Sequence, residues 1–144
     1  MTSFVFTAYG VPKGQPRARA FARGGKVRMY DPGTAEGWKA IVAAAAQPFV
    51  PKTPHEGPVS VDLDFWMPRP KRLAKAPSHA LQYLAKPDAD NLAKAVLDAF
   101  TQIGMWQDDA QVYYLSVSKH YHKKDDRPGV TVAVTLHNDK ESDQ

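Results

Sequence analysis

Between Val59 and Trp66 the chain alternates strictly, with Val59, Val61, Leu63 and Phe65 apolar and Ser60, Asp62, Asp64 and Trp66 interleaved. Successive side chains of a strand point to opposite faces, so this pattern predicts a strand with one face buried. Phe4, Phe6 and Ala8 alternate with Val5 and Thr7 and predict a first strand that ends at Gly10 and Pro12. A buried sheet face needs a covering layer, and two segments have the period to supply one. Trp38, Ile41, Val42 and Ala45 fall on one face of a helix between Thr34 and Gln47, stopped by Pro48. Leu92, Val96, Ala99 and Ile103 do the same in a second helix from about Asp90 to Ile103, with Asp88 or Asp90 able to cap its start and Gly104 suited to a left-handed turn past its end.

Two further strands are read at Gln111–Tyr121 and Val130–Leu136. The stretch Lys123–Gly129 between them has hairpin-turn composition, so they are expected to be antiparallel neighbours. Residues from Met67 to Pro87 contain four prolines and no periodicity, and are read as a long loop of the kind that often carries function. Another loop runs from Lys13 to Arg28, with a brief strand expected at Val27–Tyr30. The expected fold is α/β (α+β), a small mixed sheet with two main helices. Residues 1–137 are read as one domain and residues 138–144 as a frayed polar, acidic tail. Trp38, Trp66 and Trp106 are all expected in the core.

With no cysteine among 144 residues, neither disulfides nor thiolate metal sites are possible, and the core alone must hold the fold. Residues 1–30 contain neither a signal core nor a membrane-spanning run, so a cytoplasmic location with no membrane partner is expected. The formal net charge is +4, and it is unevenly placed. Residues 1–30 carry Lys13, Arg17, Arg19, Arg23, Lys26 and Arg28 with no acid, and Arg69, Lys71, Arg72, Lys75 and Lys86 lie in the acid-free stretch between Asp64 and Asp88. Two such segments suit a polyanionic partner, although a merely solvated surface has the same composition.

Chemistry concentrates in KPDADNLAKAVLDAFTQIGMWQDDAQV, residues 86–112. Asp88 and Asp90 flank a helix start, Lys94 lies one turn beyond Asp90, and Asp108 with Asp109 precedes the next strand. Taken singly, these residues have plain structural uses: a helix cap, a Lys94–Asp98 pair one turn apart, a polar turn. Together they offer carboxylates whose mutual repulsion, about 4 kcal/mol per pair at 4 Å and an effective dielectric of 20, calls for a cation. Oxygen-only ligands suit Mg²⁺ or Mn²⁺, which activate water and neutralise charge on a phosphate. His120 and His122 share a strand face but have no third ligand nearby, and neither a glycine-rich phosphate loop nor a nucleophile elbow is present, so no nucleotide cofactor is expected.

The segments D-A-D-N-L-A-K-A-V-L-D-A-F and G-M-W-Q-D-D-A-Q-V resemble the signature of the RusA-type Holliday junction resolvases of phages and prophages. V-P-K-G-Q-P-R-A-R and V-S-V-D-L-D-F-W followed by M-P-R-P-K resemble the family's phage-borne branch, so the likeness runs to about Leu136. The resemblance implies a small α/β homodimer that binds four-way DNA and cuts two strands symmetrically with a divalent metal. It implies Asp88, Asp90 and Asp109 as metal ligands and Lys94 as the lysine assisting catalysis. Asp108 is assigned as a supporting acid and Asn91 as the residue holding a carboxylate or the helix start. The basic residues that precede the motif in the family are Ala85, Lys86 and Pro87 here. DNA contacts are therefore assigned to Lys13, Arg17, Arg19, Arg69, Lys71, Arg72 and Lys86, with branch selectivity read from shape. A non-catalytic, structure-selective nucleic-acid binder on the same fold is the alternative, and a nuclease of flaps or single strands is a third reading.

Overall fold

The computed structural model describes residues 1–15, 34–73 and 82–138. In chain order the elements are β1 (Thr2–Tyr9), α1 (Ala35–Ala46), β2 (Val59–Met67), α2 (Ala89–Gln102), β3 (Val112–Tyr121) and β4 (Gly129–Leu136). The strands form one mixed sheet in the order β1-β4-β2-β3. β4 runs antiparallel to both β1 and β2, and β3 runs parallel to β2. This is the α+β arrangement expected from the periodicities. The expected brief strand at Val27–Tyr30 and the last six residues of the tail lie outside the described residues.

One expectation is corrected. β3 and β4 are not neighbours, because β2 lies between them and residues 122–128 step across it. β2 is the reason: Val59, Val61, Leu63, Phe65 and Met67 are all buried, and a strand that far inside needs a hydrogen-bonded partner on each side. With β1 paired to β4, a hairpin of β3 and β4 would leave β2 at an edge. Gly129, at the start of β4, also depends on the observed pairing, since a Cβ there would collide with the Ala8 carbonyl of β1.

Both helices lie over one face of the sheet. Trp38 and Val42 of α1, Leu92, Val96 and Phe100 of α2, and Val130, Val132 and Val134 of β4 join the buried β2 residues in one core. Burial of each large side chain stabilises the fold by about 1.5–3 kcal/mol. Thr34 caps α1 by accepting from the Gly37 N–H at 3.2 Å, and α1 ends where Pro48 enters a 3₁₀ turn. Gly104 sits at φ +82° after α2, the left-handed position expected of it. Lys39 is buried and bridges the helices through Asp98, with Glu36 3.6 Å away. Removing Asp98 would strand a buried ammonium, a change that typically costs about 3 kcal/mol.

The opposite face of the sheet is polar. Asp62 and Asp64 accept from Ser116 and Ser118 on β3, and Thr135 meets Ser3 across β4 and β1. Trp66 shares this face by parity, so its expected core placement is corrected: it is half-buried, lies against His120 and donates from Nε1 to the Thr131 hydroxyl at 3.0 Å. Among the described residues no helix is long and apolar enough to cross a membrane.

Candidate active site

The chain entering α2 is fixed from two sides. Lys119 of β3 donates from Nζ to the carbonyls of Ala85 and Pro87, both at 2.9 Å, and lies 5.4 Å from the centre of the Tyr83 ring. Tyr83 returns two bonds, its N–H to the Lys119 carbonyl at 3.1 Å and its hydroxyl to the Lys86 carbonyl at 2.8 Å. From the other side, the Gln15 N–H donates to the Asn91 carbonyl at 3.0 Å and Gly14 lies against Pro87 and Asn91. Lys13 therefore stands beside the start of α2.

Asp88 occupies the N-cap in an extended conformation, but its side chain makes no capping bond. Its carboxylate instead accepts from Lys86 Nζ at 2.8 and 3.0 Å. Beyond it, Asp90, Ala93, Lys94 and Leu97 fall at i, i+3, i+4 and i+7, one row along α2. This row faces Asp109 and the side chains of Val112, Leu115 and Val117 on β3, enclosing an open concavity of about 430 Å³. Asp90 and Lys94 are exposed and Asp109 is half-buried. None of the three has a hydrogen bond or ion pair among the described residues. The alternative use of Lys94 as a partner for Asp98 is not what the structure adopts, because Asp98 is held by Lys39 and Gln102.

The second acid pair divides its roles. Asp108 caps a 3₁₀ turn, Asp109–Gln111, by accepting from the Ala110 N–H at 2.9 Å, and the Gln111 side chain closes the box by accepting from the Asp108 N–H. That capping turn leaves Asp109 lining the concavity and Asp108 exposed beside it. Asp90, Lys94 and Asp109 are thus brought together, while Asp88 is drawn to Lys86. Among the described residues no three His, Cys, Asp or Glu side chains cluster as a metal site. The Asn91 amide has no hydrogen bond among the described residues.

The residues assigned to DNA contact also separate. Lys71 and Arg72 are exposed on a 3₁₀ turn, and Lys86 is exposed beside Asp88. Arg69 instead donates to the carbonyls of His122 at 3.2 Å and Leu73 at 2.9 Å, bracing the end of β2. Arg17 and Arg19 lie outside the described residues. Among the described residues His120 and His122 belong to no group of three potential metal ligands, and the His122 Nδ1 lies 2.6 Å from the Lys123 carbonyl oxygen. Two residues near the site went unread in the sequence, Lys119 and Gln111. Lys119 carried a signal: it shares strand parity with Leu115 and Val117, an anomalous place for a cation.

A relative from Bacillus subtilis (strain 168), described as uncharacterized protein YqaN, is 38% identical over 141 residues, covering 93% of this chain and 96% of that one. The family model for endodeoxyribonuclease RusA matches residues 9–135, a span that takes in the concavity, both helices, β2 and β3, and all of β4 but its last residue. With a match of that extent, this chain belongs to the RusA endodeoxyribonuclease family.

Proposed function

We propose that this protein is a divalent-metal-dependent endonuclease that resolves four-way DNA junctions by paired, symmetric phosphodiester hydrolysis. The observation that carries the reading is the concavity in which two carboxylates, Asp90 and Asp109, share walls with an ammonium, Lys94, none of them paired among the described residues. Charged groups at a common surface without protein partners are suited to a charged ligand from outside.

The donor set fits Mg²⁺ or Mn²⁺ in kind. It is all oxygen, and Mg²⁺ commonly uses one or two carboxylates, keeping water and substrate phosphate for its other positions. Asp90 and Asp109 would hold the ion. Asp88, whose carboxylate accepts from the exposed Lys86 beside the concavity, would be the third ligand. When bound, such an ion supplies Lewis acidity and a water of lowered pKa. Lys94 would offset the charge developing on the scissile phosphate.

The surroundings favour a backbone-reading interface. Lys13, Lys71, Arg72 and Lys86 supply positive charge, whereas Asp62 and Asp64 on the open sheet face would repel phosphate. A two-fold dimer would present two such sites to a junction that is itself close to two-fold symmetric. The test is incubation of a synthetic four-way junction with Mg²⁺ or Mn²⁺, beside linear duplex and flap controls. Paired nicks on the junction alone are expected. Binding without nicks in either metal supports the non-catalytic binder, and equal cutting of flaps supports a broader nuclease.

A further inference from the structure

The side chain of Gln111 ties together the two pieces of chain that frame Asp109. Its Oε1 accepts from the backbone N–H of Gln107 at 3.0 Å and of Asp108 at 2.9 Å. Its Nε2 donates to the carbonyls of His55 at 2.8 Å and Gly57 at 2.9 Å. A primary amide has two donor hydrogens and one oxygen with two lone pairs, so every position is used, and every partner is backbone. The partners also fix which end is which, since two N–H groups stand on one side and two carbonyls on the other. Asp109 itself contributes nothing to this knot. Its carboxylate has no hydrogen bond among the described residues, so the direction it takes into the concavity is set by the backbone that the amide holds.

We propose that Gln111 is a positioning residue for Asp109, holding the turn so that this carboxylate meets Asp90 across the concavity; the inference rests on the reading of Asp109 as a metal ligand. No other side chain type satisfies the same four groups at that reach. Glutamate keeps the length but has no donor, and it would set a negative oxygen against two carbonyls. Methionine keeps the length and makes none of the bonds.

Mn²⁺ alone is the probe, titrated calorimetrically into wild type, Gln111→Glu, Gln111→Met and Asp109→Asn. Each protein is also checked by thermal melting and by junction binding in EDTA. The expected result is that both Gln111 variants stay folded, bind junction within about twofold of wild type, and bind Mn²⁺ about tenfold or more weakly, a loss of about 1.4 kcal/mol. Their cleavage should need correspondingly more Mn²⁺ for half its maximum. A residue serving only the fold would lower the melting temperature and leave the Mn²⁺ requirement where it was. Unchanged Mn²⁺ affinity in a folded Gln111 variant, while Asp109→Asn loses binding, overturns the proposal. So does loss of the fold in both Gln111 variants, which assigns the residue to the fold alone. If Asp109→Asn binds Mn²⁺ as wild type does, the metal-ligand reading of Asp109 fails instead.

Discussion

The chain contains two Asp-x-Asp triplets, Asp62–Asp64 and Asp88–Asp90, and the backbone beneath them makes them opposites. On β2 a spacing of two returns to the same face, so Asp62 and Asp64 both point to the open side of the sheet. The register places Ser116 and Ser118 directly opposite them, and each carboxylate accepts from its serine. At the start of α2 the same spacing turns the second residue through roughly 200°. Asp88 goes to Lys86, and Asp90 goes to the concavity without a partner among the described residues. A carboxylate pair is therefore not a signal for chemistry by itself. What separates the two is Asp90, the one carboxylate of the four that has no partner among the described residues.

That contrast can be broken by mutation. The largest expected effect is on Asp90→Asn or Asp109→Asn, each of which should lower junction cleavage by about 100-fold or more while junction binding in EDTA is kept or tightened, as gel shift and nicking assays would report. Loss of binding along with cleavage would mean that the carboxylate serves the fold. Next comes Lys94→Ala, expected to slow single-turnover cleavage by roughly 100-fold with little change in junction affinity. Replacing Lys71 and Arg72 together by alanine should weaken binding roughly tenfold and reduce the slope of log affinity against log salt by about two. Affinity equal to wild type at all salt concentrations would remove that turn from the interface. The smallest effect sharpens the comparison from the other side: Asp62→Asn with Asp64→Asn should leave cleavage within about twofold and stability within about 0.5 kcal/mol per site.

Much of this was legible in the sequence because it is local. The row Asp90, Lys94, Leu97 follows from helical period, the left-handed Gly104 from its place after the last apolar residue, and the buried side of β2 from alternation. The features that were not legible depend on what lies across the fold. Turn composition at Lys123–Gly129 signals a reversal of direction, and direction does reverse, but it does not say that β2 will take the place between the two strands. Trp66 was read by residue type, and strand parity overrode it. The guanidinium of Arg69 is directed at carbonyls near the end of β3 and in the turn after β2, contacts that its charge does not reveal. Gln111 looks like an ordinary strand-entry residue, and its use appears only once the 55–57 segment is brought against the turn.

Asp90 and Asp109 are expected to close on one hard cation, and the strand-borne pair is not. Anomalous diffraction from crystals grown with Mn²⁺ tests this most directly. A peak is expected in the concavity, about 2.1 Å from a carboxylate oxygen of each of Asp90 and Asp109. A peak held by Asp62 and Asp64, with none between α2 and the Asp109 turn, would contradict it.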